Sequence, residues 1–164
     1  MDFLRSFLCL SLPLYVLDQI TKWIIVWKYQ PPAPGFYDFT EVIPGFFDIV
    51  RVHNTGVAFG RFNGTAWANV VFGAVAVGAL VVIGVLWRKK AFPIKTSQVA
   101  VFLLIPGILG NLTDRLVHGY VVDFLSFNLK FMIWPSFNVA DSCICIAAGL
   151  LAISAFLEAK QADA

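Results

Sequence analysis

The stretch that decides the fold is "TAWANVVFGAVAVGALVVIGVLW", residues 65–87, which contains no charged side chain. A helix that crosses the hydrocarbon core of a bilayer needs about 20 mostly apolar residues, so this run is long enough to span it. The whole 164-residue chain agrees, because 59% of it is hydrophobic and only 13% is charged. Soluble domains are roughly half apolar and a quarter charged. We therefore predict an integral membrane protein.

Apolar windows of similar length flank this run. We predict one membrane-embedded domain, residues 1–164, with spans at about residues 3–27, 65–87, 96–113 and 138–157. The first window could also be a secretory signal peptide. Because no small-x-small cleavage site follows it, we expect it to remain as an uncleaved span.

The positive charges of the loops predict the orientation. The densest basic cluster lies between the second and third predicted spans and consists of Arg88, Lys89, Lys90 and Lys95. Short loops rich in Lys and Arg stay in the cytoplasm. Both termini are then cytoplasmic as well, and the connections at about 28–64 and 114–137 face outward.

The outer segment at about 28–64 is predicted to be β-rich. It opens with "QPPAPG", whose prolines cannot continue a helix. Residues 45–60, "GFFDIVRVHNTGVAFG", then alternate partly between apolar and polar side chains, which is typical of a strand or hairpin. Unpaired strand edges cannot face lipid. The predicted fold is therefore an all-α membrane protein of four transmembrane helices with a small β-rich segment on the extracytoplasmic surface.

With this topology, the polar residues gather at the outer ends of the spans. Helical spacing gives shared faces within three groups: Asp18 with Lys22, Asn111 with Asp114 and Arg115, and Asn138 with Asp141. Solvated anchors at the lipid headgroups would explain such residues, and an ion pair is sufficient explanation for the first group. We expect the carboxylate of Asp114 to pair with the adjacent guanidinium of Arg115.

Two carboxyl groups fit general acid–base chemistry. Asp123 lies between "YVV" and "FLSF", which offer no partner and little water, and an apolar setting raises the pKa of a carboxyl group. Asp141 lies in the first turn of the fourth span, where the helix dipole favours the ionised carboxylate. Two carboxyls whose environments differ in this way can serve as acid and base.

Other chemistries find little support in the sequence. There is no HExxH zinc motif, no Walker A loop and no GxSxG motif. A metal role for His53 and His118 is possible but unsupported, and no basic run suggests nucleic-acid binding. We predict no metal, no cofactor and no nucleic-acid partner. The cysteines lack metal-ligand spacing and are expected to be free thiols: Cys9, Cys143 and Cys145.

Four blocks of the sequence resemble the bacterial lipoprotein signal peptidase family, also called type II signal peptidases. They occur in the family's order and cover nearly the whole chain: "DQITK" (18–22), "VHNTGVAFG" (52–60), "GNLTDR" with "VVDF" (110–124) and "FNVADS" (137–142). One departure is Pro106, where the family often has a second glycine beside Gly107. A proline removes one helix hydrogen bond, so the path of the third span is in question.

The resemblance implies an aspartic endopeptidase of the bacterial inner membrane. Its implied partners are lipid-modified prolipoproteins and membrane phospholipid, and the cut falls just before the lipidated cysteine. The catalytic pair maps onto Asp123 and Asp141. The supporting or substrate-binding residues map onto Asp18, Lys22, Asn54, Asn111, Arg115 and Asn138. We add Asp114, and also Gly56 and Gly60, which would allow close approach of the substrate backbone.

Two other classes of function remain open at this point. A small transporter or channel subunit would use intramembrane carboxylates as a proton or cation path. It would place polar residues at mid-membrane depth in several spans, whereas the second span has no charged residue. A purely structural scaffold would leave the pairing of Asp123 with Asp141 unexplained.

Overall fold

The computed structural model describes residues 2–56 and 66–162, and four long helices form its body. Helix α1 comprises an α-helical turn, a π-helical segment and a longer α-helix: Phe3–Ser6, Phe7–Ser11 and Leu12–Lys28. The others are α2 (Ala66–Arg88), α3 (Lys95–His118) and α4 (Val139–Ala162). All four are long and apolar enough to cross a membrane. The predicted fold class is confirmed.

Helix α3 lies at the centre of the helical body. Half of its most apolar window is buried inside the protein, compared with 6% for α2. A cluster of Ile83, Val101, Phe102 and Ile105 forms the core between α2 and α3. Large apolar side chains elsewhere point outward, for example Val70 on α2. An outward apolar surface is what a helix needs when its surroundings are lipid.

Pro106 lies inside α3 without ending it. A proline has no backbone N–H, so the carbonyl of Phe102, four residues earlier, loses its normal helical partner. The hydroxyl of Ser11 donates to that carbonyl across 2.7 Å. Ser11 closes the π-helical segment of α1, and it is buried, as is Pro106. A polar contact from α1 therefore satisfies the acceptor, and α3 continues to His118.

The sheet on top of the helices has four antiparallel strands in the order β1-β2-β3-β4. They are β1 (Phe39–Ile43), β2 (Phe47–Asn54), β3 (Val121–Asn128) and β4 (Ile133–Phe137). Two strands thus come from the connection between α3 and α4, for which we predicted none. Pro135 is compatible with β4 because β4 is an edge strand, and residues on the unpaired side of an edge strand need no N–H donor.

One buried arginine joins the sheet to α1. Arg51 on β2 is 7% exposed, and its Nη1 donates to the carbonyls of Val26 and Tyr29 at 3.0 and 2.8 Å. Carbonyls at the end of a helix have no partner within the helix, so this guanidinium caps α1. Ile25 and Tyr29, at the end of α1, pack against Val122 and Phe124 of β3. These contacts hold β3 against the end of α1.

Candidate active site

Asp123 lies on β3, opposite Val52 of β2, and it is only 2% exposed. Its two carboxyl oxygens each accept an amide hydrogen. Asn54 Nδ2 donates to Oδ2 at 3.0 Å, and Asn138 Nδ2 donates to Oδ1 at 2.7 Å. The expectation that Asp123 has no polar partner was wrong, because both amides come from segments distant in sequence.

The environment of Asp123 nevertheless favours its protonated form. Burial, together with the nearby carboxylate of Asp141, raises the pKa of Asp123 from 3.8 to about 7. The amides of Asn54 and Asn138 and the charge of Lys22 act in the opposite direction, but burial is the largest effect. Asp123 can therefore exchange a proton near neutral pH.

Asp141 lies in the first turn of α4 and takes part in a reciprocal cap with Asn138. The backbone N–H of Asn138 donates to Asp141 Oδ2 at 3.3 Å, and the N–H of Asp141 donates to Asn138 Oδ1 at 2.9 Å. This is the pattern of a capping box, in which two residues satisfy free donors at a helix start. Asn111 Nδ2 donates to the other oxygen, Oδ1, at 2.7 Å. Two hydrogen bonds, one to each oxygen, therefore fix the carboxylate.

Asn138 connects the two aspartates. It is fully buried, and its Nδ2 lies within hydrogen-bond distance of Asp123 Oδ1 while its Oδ1 accepts from the backbone of Asp141. Its Nδ2 also lies 3.1 Å from Asn111 Oδ1. One amide group therefore sets the relative placement of both carboxyls.

Lys22 stands at the centre of a buried ion cluster beside the pair. Its Nζ lies 2.8 Å from Asp18 Oδ2, 3.0 Å from Asp114 Oδ2 and 3.0 Å from Asn111 Oδ1. Each of the three ammonium hydrogens thus has an acceptor. Because Lys22 donates a hydrogen bond to the oxygen of the Asn111 amide, the nitrogen of that amide is turned toward Asp141.

The two carboxylates of this cluster hold other elements in place. Asp18 Oδ1 accepts the backbone N–H of Ala140 at 2.8 Å, which fixes the start of α4. Asp114 Oδ2 accepts the N–H of Val122 at 3.0 Å, which fixes β3 next to Asp123. The cluster therefore positions the segments that carry both aspartates.

Asp114 pairs with a different cation from the one we expected. Its salt-bridge partner is Lys22 of α1, not the adjacent Arg115. Neighbouring residues on a helix point about 100° apart, so sequence adjacency did not bring the two charges together. Arg115 instead donates from Nη1 to the carbonyl of Asn111 at 3.2 Å and lies 5.3 Å from the ring centre of Phe72.

Gly56 contributes through its backbone. Its N–H donates to Asn54 Oδ1 at 3.1 Å, which leaves the Asn54 nitrogen free to reach Asp123. Gly60, the second glycine expected in this segment, lies outside the described residues.

Two residues near the cluster were not predicted. Gln19 Nε2 lies 3.1 Å from Asp18 Oδ2 and 3.3 Å from Asp114 Oδ1, so it supports both carboxylates. A side chain at Gly110 would collide with the Asp18 carboxylate and with Ala140. The sequence signals for Gln19 and Gly110 were their positions in the "DQITK" and "GNLTDR" blocks.

The two histidines lie to one side of this site. His53 stacks on Tyr120 with ring centres 3.7 Å apart, and Arg51 Nε donates to His53 Nε2 at 3.0 Å. Burial, and then the charge of Arg51, lowers the pKa of His53 to about 4. Within residues 2–56 and 66–162, no group of three or more His, Cys, Asp or Glu side chains has the arrangement of a metal site. His53 is therefore explained by its contacts with Arg51 and Tyr120.

Comparison with known proteins decides the family. The family model described as "Signal peptidase (SPase) II" matches residues 10–157. The chain belongs to this family. It is 37% identical over 157 residues to a lipoprotein signal peptidase of Symbiobacterium thermophilum, a match that covers 94% of this chain and 97% of the relative. It is 42% identical over 153 residues to the lipoprotein signal peptidase of Alteromonas mediterranea, covering 92% and 80%.

Solved structures agree with the family assignment. Two structures described as bacterial membrane enzymes superpose with TM-scores of 0.83 and 0.79, at 31% and 32% sequence identity. The first match covers 97% of this chain and 92% of the other, and the second covers 93% of each. The predicted family and the predicted enzyme class, a membrane peptidase, are confirmed.

Proposed function

We propose that this signal peptidase II family member is an aspartic endopeptidase that removes signal peptides from diacylglyceryl-modified prolipoproteins. The cut falls just before the lipidated cysteine. One observation carries the chemical part of the proposal: two carboxyls, the buried Asp123 and the partly buried Asp141, meet around a single amide, that of Asn138. The curated relatives named as lipoprotein signal peptidases support the substrate class.

The two aspartates share one proton in the resting enzyme. Close carboxylates cannot both ionise cheaply, and we assign the shared proton to Asp123, whose pKa is raised to about 7. Asp141 is then the base. Its two oxygens accept hydrogen bonds from Asn111 and from the backbone of Asn138, which orient it for this role.

The first step is addition of water to the scissile carbonyl carbon. Asp141 takes a proton from the water as its oxygen attacks, while Asp123 gives its proton to the carbonyl oxygen. The product is a neutral tetrahedral diol. In the second step Asp141 donates its proton to the peptide nitrogen, the C–N bond breaks, and Asp123 recovers a proton from one hydroxyl. The amine of the lipidated cysteine leaves, and the carboxyl pair regains its starting proton.

The surrounding residues act by positioning. Asn111 and Asn138 hold the carboxyls at fixed orientations, and the buried cluster of Lys22, Asp18 and Asp114 holds Asn111, Ala140 and Val122 in turn. Fixed dipoles and charges need not reorganise during the reaction, and such preorganisation is a major source of rate enhancement.

We place the site toward the extracytoplasmic leaflet of the bacterial inner membrane, with both termini in the cytoplasm. The basic connection between α2 and α3, which contains Lys89 and Lys90, supports this orientation. At that depth, a precursor held in the bilayer by its acyl chains would present its modified cysteine close to the carboxyl pair.

A cleavage assay with matched substrates tests the proposal. Purified protein in lipid is given one lipidated precursor and its unlipidated twin, and the release of the signal peptide is followed by gel shift. We expect cleavage of the lipidated form only, with a new N-terminus at the modified cysteine. Cleavage of neither form, combined with ion flux across the vesicle membrane, would favour a transporter and contradict the proposal.

A further inference from the structure

A groove of about 700 Å³ runs between α2 and α3, apart from the carboxyl pair. Glycines on α2 open its floor, and aliphatic side chains form its walls. Two polar residues lie at the end nearest the sheet. The lining of the groove includes Gly73, Gly78, Val77, Leu112, Asn69 and Arg115.

The polar end of this groove carries an unused hydrogen-bond donor. Arg115 Nη1 donates to the carbonyl of Asn111 and the guanidinium lies over the ring of Phe72, but its buried Nε has no partner within residues 2–56 and 66–162. A buried donor without an acceptor is unfavourable. Arg115 Nε is therefore satisfied best when a ligand brings an acceptor into the groove.

The same end carries an unused acceptor. The Nδ2 of Asn69 donates to the carbonyl of Gly119, which directs its Oδ1 elsewhere. That buried oxygen has no partner in the described part of the chain either. Among the described residues, the groove thus offers one donor and one acceptor at its polar end and apolar side chains along its length.

The polar end is connected directly to the carboxyl pair. Arg115 contacts the backbone of Asn111, and the side chain of Asn111 donates to Asp141. The guanidinium also interacts electrostatically with both Asp141 and Asp123. A ligand that reaches Arg115 from the groove is therefore linked to Asp141 through a single residue, Asn111.

We propose that this groove binds the diacylglyceryl group of the substrate cysteine, an inference that rests on the proposed function. One ester carbonyl accepts from Arg115 Nε, a peptide N–H of the precursor donates to Asn69 Oδ1, and the acyl chain lies against Val77 and Leu112. Gly73 and Gly78 make room for that chain. Esters have acceptors and no donors, which matches the free Arg115 donor.

The helical part of the signal peptide is a poorer occupant. Its backbone groups are satisfied within the helix, so it would leave the Arg115 donor unused. A smaller hollow of about 330 Å³ lies on the other side of α3, lined partly by Trp23, Val26 and His118. Binding of the acyl chain in that hollow is the competing outcome that the following experiments can detect.

The first test compares two glycines of α2. A Cβ atom added at Gly78 or at Gly84 would meet no atom within 4 Å, but only Gly78 lines the groove. Gly78→Leu fills the groove, and Gly84→Leu is the matched control. Each variant and the wild type is assayed on two precursors that differ only in acyl length, one with two hexadecanoyl chains and one with two hexanoyl chains.

We expect Gly78→Leu to raise KM for the long-chain precursor by about tenfold, because its side chain displaces several methylene contacts, with a smaller effect on the short-chain precursor. Gly84→Leu should match the wild type on both. If the wild type cleaves both precursors but Gly78→Leu and Gly84→Leu behave alike, the groove assignment is wrong and the proposed function stands. If the wild type cleaves neither, the proposed function itself fails.

The second test examines the ester contact and does not depend on Gly78. A precursor with ether-linked chains lacks the carbonyl acceptors, so the wild type should bind it about tenfold more weakly than the ester, as expected for loss of a hydrogen bond to a charged group. Arg115→Lys removes the Nε donor, and its ester-to-ether KM ratio should fall to about one whatever its overall rate. An unchanged ratio in Arg115→Lys would overturn the assignment. As a check of position, a diazirine at the end of the acyl chain should label Val77 or Leu112, and labelling confined to Trp23 or Val26 would place the chain in the other hollow.

Discussion

Replacing Lys22 by Met should destabilise the protein strongly while leaving its shape in place. Met has a similar length and no charge, so Lys22→Met leaves Asp18 and Asp114 buried without their cation; both are at most 2% exposed. Removing one partner of a buried ion pair costs about 3–5 kcal/mol, because the remaining charge stays desolvated. The ratio of folded to unfolded protein should therefore fall by roughly 10²- to 10⁴-fold.

A second change should relieve part of this loss. Asp114→Asn keeps the oxygen that accepts from Val122 but removes one of the two stranded charges. By itself, Asp114→Asn should lower stability or yield and leave residual turnover in the folded protein. In combination with Lys22→Met it should recover about 1–3 kcal/mol relative to Lys22→Met alone, the size of coupling seen between contacting residues.

Thermal unfolding in detergent, followed for the wild type, both single variants and the double variant, measures this coupling. The activity per folded molecule should be recorded from the same samples. Strictly additive losses would show that Lys22 and Asp114 do not act on each other, and an unchanged melting temperature in Lys22→Met would refute the role given to the cluster.

Three further predictions concern other parts of the molecule. Ser11→Ala should lower the free energy of unfolding by about 1–3 kcal/mol because it leaves the Phe102 carbonyl unpaired. The loss should be much smaller in a Pro106→Ala background, where a restored N–H can reach that carbonyl. Equal losses in the two backgrounds, measured by thermal melting, would contradict this. Since the pKa of Asp123 is raised from 3.8 to about 7, its contribution to stability is fully present below pH 3.8 and is lost as the pH rises through 7. Asp123→Asn should therefore melt with a flatter pH dependence over that window, and an unchanged dependence would count against the raised pKa. Cleavage should persist when Cys9, Cys143 and Cys145 are all replaced by Ala. Folding of this variant is checked by melting, and loss of cleavage in folded protein would weaken the aspartic mechanism.

The overall architecture could be predicted because membrane spans have a strong and local sequence signal. A charge-free run such as residues 65–87 can be recognised without knowledge of its neighbours. Helical spacing similarly placed Asp18 and Lys22 on one face, and the structure gives them a direct ion pair. Both properties depend only on residues close together in the chain.

What could not be predicted depends on contacts between distant segments. The amides that hold Asp123 belong to residues 69 and 15 positions away, Asn54 and Asn138. The cation of Asp114 belongs to another helix. Local propensity and charge adjacency carry no information about such pairings.

The most direct test of the central claim is the rate of signal-peptide release per folded molecule for Asp123→Asn, Asp141→Asn and the double variant. Each amide preserves size and polarity but cannot transfer the required proton, so each single variant should lose at least about 10²–10⁴ in rate. The double variant should be little slower than either, because the two groups act as one unit. All three should still fold and bind lipidated precursor. The account would be contradicted if Asp123→Asn still cleaved at a near wild-type rate while a well-folded Asp114→Asn did not, since the pair would then include a different carboxylate.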